Sequence, residues 1–329
     1  VNTATPSVPA DDSIAAILAN ARSLGVDLWN QNGQLRFRAP QGALTDALRE
    51  QLKRNRQQVL ACLAGTAPGP ADTPQGGIAA DWFKTWQPRP HATQRVICLP
   101  HAGGAASFFR HWGAALPAHV ELIAVQYPGR EERIDAPLIS DLTLLVAAIA
   151  DALQRTPHLL QQPYLLFGHS MGSALAYELH RALQQRGLPL ARHLLLSACE
   201  APSRRKAEAF HLASDQRLMD EMLRLGGTQN AMAHSPELME LVLPATRSDY
   251  QAIETYVPDP QRSPVSVPIT ALTGDQFHEL DLDDALAWAD ETTAGFVHRG
   301  FPGGHFYLMQ QQDGVLDVVR AALEQLPRG

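Results

Sequence analysis

Cysteine is scarce: Cys62, Cys98 and Cys199 stand far apart among 329 residues, with no C-x-x-C spacing. That argues against a disulfide framework and fits a reducing cytoplasm. A basic excess is missing too. Lys and Arg number 27 against 34 Asp and Glu, so a net charge of −7 gives no footprint for nucleic acid. No apolar run approaches the ~20 residues of a membrane span. The opening stretch VNTATPSVPADDS is polar and acidic, unlike a secretory signal. No H-E-x-x-H or similar ligand spacing suggests a metal. What is present is an ordinary globular mix, 45% hydrophobic and 19% charged, able to bury a sizeable core. The length fits one large domain plus a small one.

Residues 11–63 read as the small one. Ile14, Ile17, Leu18 and Leu24 recur at helical spacing behind Ser13, an N-cap residue type, and Gly25 ends that helix. VDLWN and QLRFR alternate apolar and polar residues around Asn32-Gly33, a hairpin signal. Leu44, Leu48, Leu52, Val59, Leu60 and Leu63 then follow with helical period. This α-β-β-α order in about fifty residues is marginal for a lone core and would gain from docking or dimerising. Residues 64–77, AGTAPGPADTPQGG, lack apolar periodicity and read as a linker.

The large domain, 78–329, has another rhythm. RVICLP, VELIAVQY, YLLFGHS, HLLLSA and VPITALTG are apolar runs of strand length separated by helical patterns. Such alternation implies an α/β domain with a mostly parallel sheet. Between Pro202 and Pro264 the rhythm breaks into helices, an excursion that reads as a lid over a site.

Gly168-His169-Ser170-Met171-Gly172 matches G-x-S-x-G between the run YLLF and a helical segment, the context that the motif requires. Ser170 is the expected nucleophile and needs a base. His305 fits, because it follows the last core strand in Pro302-Gly303-Gly304-His305 and the base comes last in this chain order. His101 and His169 read as lining or structural residues. The oxyanion needs two donors: the N–H of Met171, and that of Ala102 in the glycine-rich loop Pro100-His101-Ala102-Gly103-Gly104.

These residues carry a resemblance. PRPHATQRVICLPHAGGAASFFRHW, ELIAVQYPGREER, LLFGHSMGSALAYELH and FPGGHFYL resemble type II thioesterases of nonribosomal peptide and polyketide assembly lines, from about Ala80 onward. The resemblance implies an α/β-hydrolase fold in a bacterial cytoplasm. It also implies hydrolysis of acyl groups from the phosphopantetheine of acyl or peptidyl carrier proteins, with no cofactor of the enzyme's own. GVDLWNQNGQLRFRAPQGALTDALREQLKRNRQQVLACL is similar to TubC-type N-terminal docking domains, which recognise a C-terminal peptide of an upstream synthetase. Trp29, Arg36 and Arg38 are the expected docking residues. Arg36 and Arg38, with Lys53, Arg54 and Arg56 nearby, favour an acidic peptide.

One position departs from the family pattern. The triad acid normally lies in a G-D-x-D loop, and here Gly274-Asp275-Gln276-Phe277-His278-Glu279 puts Phe277 at its place. Glu200 and Asp275 are the expected substitutes, with Glu279 third. Three alternatives stay open: a catalytically impaired docked scaffold, a product-releasing cyclase or esterase, and a general carboxylesterase.

Overall fold

A computed structural model describes residues 17, 18, 20, 21, 26–31, 34–38, 48, 51, 52, 54, 55, 58, 59, 80–206, 208–226, 236–277 and 279–326. For 27–31, 34–38, 80, 236–238 and 240 it describes the backbone alone. The chain divides into two compact units, Val1–Gln75 and Gly76–Gly329. The expected linker, 64–77, lies outside the described residues.

In the first unit β1 (Asp27–Gln31) and β2 (Gln34–Arg38) pair antiparallel, from Asp27↔Arg38 to Gln31↔Gln34. That register leaves only Asn32-Gly33 between the strands, a dipeptide that two-residue hairpins favour because both positions need positive φ. Ile17, Ala21, Val26, Leu48, Leu52 and Val59 bury together as the core. Trp29 and Arg36 are register partners, as are Arg38 and Asp27. The side chains of these docking candidates, and Lys53 and Arg56, lie outside the described part.

The second unit runs β3 (Phe83–Lys84), β4 (Gln94–Leu99), α1 (Trp112–Ala115), β5 (Val120–Val125), α2 (Leu142–Arg155), β6 (Tyr164–His169), α3 (Met171–Gln185) and β7 (His193–Ser197). The lid region follows as α4 (Asp215–Leu225) and α5 (Pro236–Glu254). Then come β8 (Ile269–Gly274), α6 (Leu282–Leu286), β9 (Phe296–Phe301), α7 (Tyr307–Gln310) and α8 (Gln312–Glu324). The strands form one seven-stranded sheet in the order β3-β5-β4-β6-β7-β8-β9. β3 is antiparallel to β5, and every other pairing is parallel, so the α/β expectation holds.

The apolar runs read as buried strands because both faces are covered. Ile97, Leu99, Leu166, Leu194 and Leu196 pack on one side with Leu145 and Ile149 of α2 and Leu175 and Leu179 of α3. Val96, Cys98, Leu165, Phe167 and Leu195 pack on the other with Val315, Leu316 and Val319 of α8. Alternate residues of one strand thus serve opposite cores, which is the period-2 rule of a pleated strand. Asp141 fixes the start of α2 by accepting the N–H of Leu144 at 2.9 Å.

Strand order also positions the site. The chain passes from β4 to β5 on one side and then to β6 on the other side of β4. The loops leaving β4 and β6 therefore part company and open a crevice at the carboxyl ends of the strands.

Candidate active site

Ser170 sits between β6 and α3 with φ 55° and ψ −124°, a conformation that side-chain-bearing residues avoid. It is held there by its surroundings. Its N–H donates to Ser197 O on β7 at 2.8 Å. Ser173 Oγ donates to Gly168 O at 2.8 Å, locking the first turn of α3 to the end of β6. Gly172 lets α3 approach β4: a Cβ there would lie 2.1 Å from Leu99 O. Ser170 is left half-buried on the wall of a cavity of about 350 Å³.

His305, in the loop between β9 and α7, lines the same cavity. It is 7% exposed and stands in a cluster of rings. Phe277 is 4.5 Å away between centroids, Phe306 4.9 Å and His169 5.1 Å. His101 completes the cluster, 4.6 Å from Phe306 and 5.9 Å from His169. Burial holds these imidazoles neutral. Loss of water pushes His305 down to about 3, helped by the charge of Arg224. It pushes His101 down to about 3 as well, with His305 and Arg130 adding to it. His169 is lowered for the same reasons, and its Nδ1 shares a 2.8 Å hydrogen bond with Ser197 Oγ. A neutral imidazole is the form that can accept a proton, and it lies on the cavity wall that Ser170 shares.

The Met171 N–H opens α3, so no helical carbonyl is available to it and it faces the cavity end of the helix dipole. The loop carrying Ala102 lines the same cavity. A contact that the sequence does not announce fixes this loop. Asp249 of α5 accepts the N–H of Gly103 at 2.8 Å. The same carboxylate takes both terminal guanidinium nitrogens of Arg130, at 2.5 and 2.9 Å. Arg130 also donates to Gly104 O at 2.9 Å. The lid helix, the loop after β5 and the loop after β4 are thus clamped by one buried ion pair.

Residues 94–323 match the family model of the thioesterase domain. The chain belongs to the thioesterase domain family. Residues 14–64 match the TubC N-terminal docking domain. The chain is similar to a protein of Streptomyces griseus described as a probable cadicidin biosynthesis thioesterase, 38% identical over 74% of this chain and 66% of that protein. It is 36% identical to Thioesterase PikA5 of Streptomyces venezuelae, over 73% of this chain and 84% of that one. Among solved structures, the type II thioesterase BorB of the borrelidin biosynthetic cluster aligns with a TM-score of 0.68 at 40% identity, covering 74% of this chain and 98% of that one. The expected α/β-hydrolase fold, with its mostly parallel sheet, stands with these relatives.

In this thioesterase domain Ser170, Met171, Ala102 and His305 line one cavity. The expected acids are not brought to His305. Glu200 lines the cavity, but its carboxylate takes the Arg205 guanidinium. Asp275 is exposed and accepts the Gly303 N–H at 3.0 Å, tying the loop after β8 to the loop after β9. Glu279 pairs with Arg224. His305 Nδ1 has no hydrogen-bond partner among the described residues, and the Phe277 ring packs beside the imidazole. His278 lies outside the described residues. Among the described residues no group of His, Cys, Asp and Glu is arranged to hold a metal ion, and no helix is long and apolar enough to cross a membrane.

Proposed function

We propose that the C-terminal domain hydrolyses acyl thioesters held on the phosphopantetheine arms of acyl or peptidyl carrier proteins in nonribosomal peptide or polyketide biosynthesis. The observation that carries this is the placement of Ser170 at a strained, rigid turn on the wall shared with His305. Ser170 Oγ attacks the thioester carbonyl while its proton passes to His305 Nε2. The N–H groups of Met171 and Ala102 receive the oxyanion. The C–S bond breaks, the thiol leaves with the proton, and the acyl group remains as an ester on Ser170. Water then attacks that ester, again through His305, and the acid is released. The pantetheine arm belongs to the carrier, and the domain needs no cofactor of its own.

Residues 11–63 are read as the element that recruits this activity, by taking the C-terminal peptide of an upstream synthetase against the hairpin of β1 and β2. Strand addition suits a two-stranded sheet, whose outer edges carry unpaired backbone groups. A truncation beginning near Ile78 should keep its kcat/KM on a small-molecule thioester and lose the peptide.

The deciding experiment is mass spectrometry of acyl-loaded carrier protein incubated with the wild type and with Ser170→Ala. Substitution should cut turnover by ~10⁴-fold or more. Near-wild-type activity would remove the serine mechanism. The unpartnered Nδ1 of His305 favours a second reading, a docked domain impaired in catalysis. Absence of fluorophosphonate labelling at Ser170 would select that reading.

A further inference from the structure

The proton side of the site differs from the rest of it. Glu200, Asp275 and Glu279 are each engaged elsewhere, by Arg205, the Gly303 N–H and Arg224. Three rings surround the imidazole instead, those of Phe277, Phe306 and His169. Phe277 and Phe306 pack edge-on to it and His169 at a tilt, which fixes the orientation of an imidazole by contact alone, without charge.

We infer that His305 serves Ser170 as a base without a carboxylate partner, positioned by Phe277, Phe306 and His169, and that the acyl group therefore dwells on Ser170. This deepens the reading above and rests on it. The two half-reactions ask different things of the base. In the first, the Ser170 Oγ–C bond forms, the proton goes to Nε2 and the C–S bond breaks. The leaving sulfur has the modest basicity of a thiol, with an ordinary pKa near ~8.5, so it departs readily. In the second, water adds to the serine ester and gives its proton to Nε2. The C–Oγ bond then breaks, and Oγ, an alkoxide-like and strongly basic leaving group, needs that proton back. Both half-reactions form an imidazolium that no carboxylate supports. Acylation starts from a reactive thioester with a good leaving group and deacylation from a less reactive serine ester, so the missing acid slows deacylation more.

The groups that face the imidazole reinforce this. His169 and His101 are neutral, and the charge of Arg224 opposes protonation of His305 although Glu221 and Glu279 pair with it.

The test follows one loading of acyl thioester by intact-protein mass spectrometry. Wild type should show a burst and a persistent acyl adduct on Ser170. Phe277→Asp, which returns a carboxylate to the loop, should shorten the adduct's lifetime at least ~10-fold, within the ~10⁴-fold that a triad acid is worth. Phe277→Asn, of the same shape without the charge, should not. Equal lifetimes in the Asp and Asn variants, or no adduct in the wild type, would overturn the proposal. Should the variants fail to fold, nitrogen NMR of the wild-type histidines decides. A His305 still neutral at pH 5 supports the absence of a carboxylate, and one titrating near pH 7 overturns it. Turnover surviving in Ser170→Ala would instead sink the serine reading and leave the NMR result standing.

Discussion

The loops after β6 and β8 leave the same edge of one sheet and have different fates. After β6, every backbone constraint serves the residue at the tip: Ser197 O holds Ser170 N–H, and Gly172 lets α3 come up against Leu99. After β8, the backbone is held just as firmly. Asp275 N–H donates to Phe301 O and Gln276 N–H to Gly303 O, both at 2.9 Å. Gly274 passes so close to the His305 loop that a Cβ would lie 2.4 Å from the carbonyls of Gly303 and Gly304. Yet the side chain this loop offers to His305 is a phenyl ring. The scaffold of a catalytic site and its chemistry are therefore separable: close packing retains the first whether or not the second is complete.

Four measurements would break or sharpen that contrast. The largest effect belongs to Gly172→Ala. Its methyl meets backbone rather than a pliant side chain, so a loss of ~4 kcal/mol or more is expected in denaturant unfolding. A loss below ~1 kcal/mol would show that the β6 turn can yield.

Asp249→Asn comes next. It leaves the Arg130 guanidinium buried without its counter-charge, a change expected to cost ~3–5 kcal/mol. Because Gly103 loses a charged acceptor, kcat should fall while KM for a small thioester holds. Unchanged kcat would detach the clamp from any role of the Ala102 loop in turnover.

Acid should weaken the fold through the buried imidazoles. His101 and His305 stay neutral in the folded chain down to about 3, while the same residues in the unfolded chain protonate from about 6.5. Between those limits the unfolded state binds more protons, so stability rises with pH. Each residue removes ~1.4 kcal/mol at most for every unit that pH falls through the window. Urea midpoints at pH 7 and pH 5 test this, and a midpoint indifferent to pH would mean that these rings are hydrated.

The smallest effects should come from Glu200→Gln and Asp275→Asn, each costing less than ~0.5 kcal/mol of transition-state stabilisation in kcat/KM. A severe loss in either would place that carboxylate with His305 and erase the contrast between the loops.

Much of this was legible in the residues. G-x-S-x-G between an apolar run and a helical pattern gives the Ser170 turn, since those glycines have one geometric purpose there. Asn32-Gly33 locates the hairpin that the Gln31↔Gln34 register closes. The five apolar runs become β4 to β8, because strands buried on both faces have no polar alternation to hide them. The sequence also marks Phe277 as foreign to its position. It does not tell where neighbouring carboxylates turn. Glu200 is free to face the cavity until Arg205, five residues on, is placed in space. Arg130 and Asp249 are 119 residues apart, so their pairing emerges only when α5 folds over the sheet.

The parallel sheet also places the two groups at unequal depth in the fold. Ser170 follows a central strand, while His305 follows β9, an edge strand that among the described residues pairs with β8 alone. The pairing of β7 with β8 spans the whole lid region, Leu194 to Ile269, whereas β9 joins β8 across a short crossover, Ile269 to Phe296. A chain that has assembled its sheet through β8 already presents Ser170 on a finished turn, but has no imidazole beside it. Reactivity thus hangs on an edge: fraying of β9 from β8 would withdraw the imidazole while the Ser170 turn, inside the sheet, stays held.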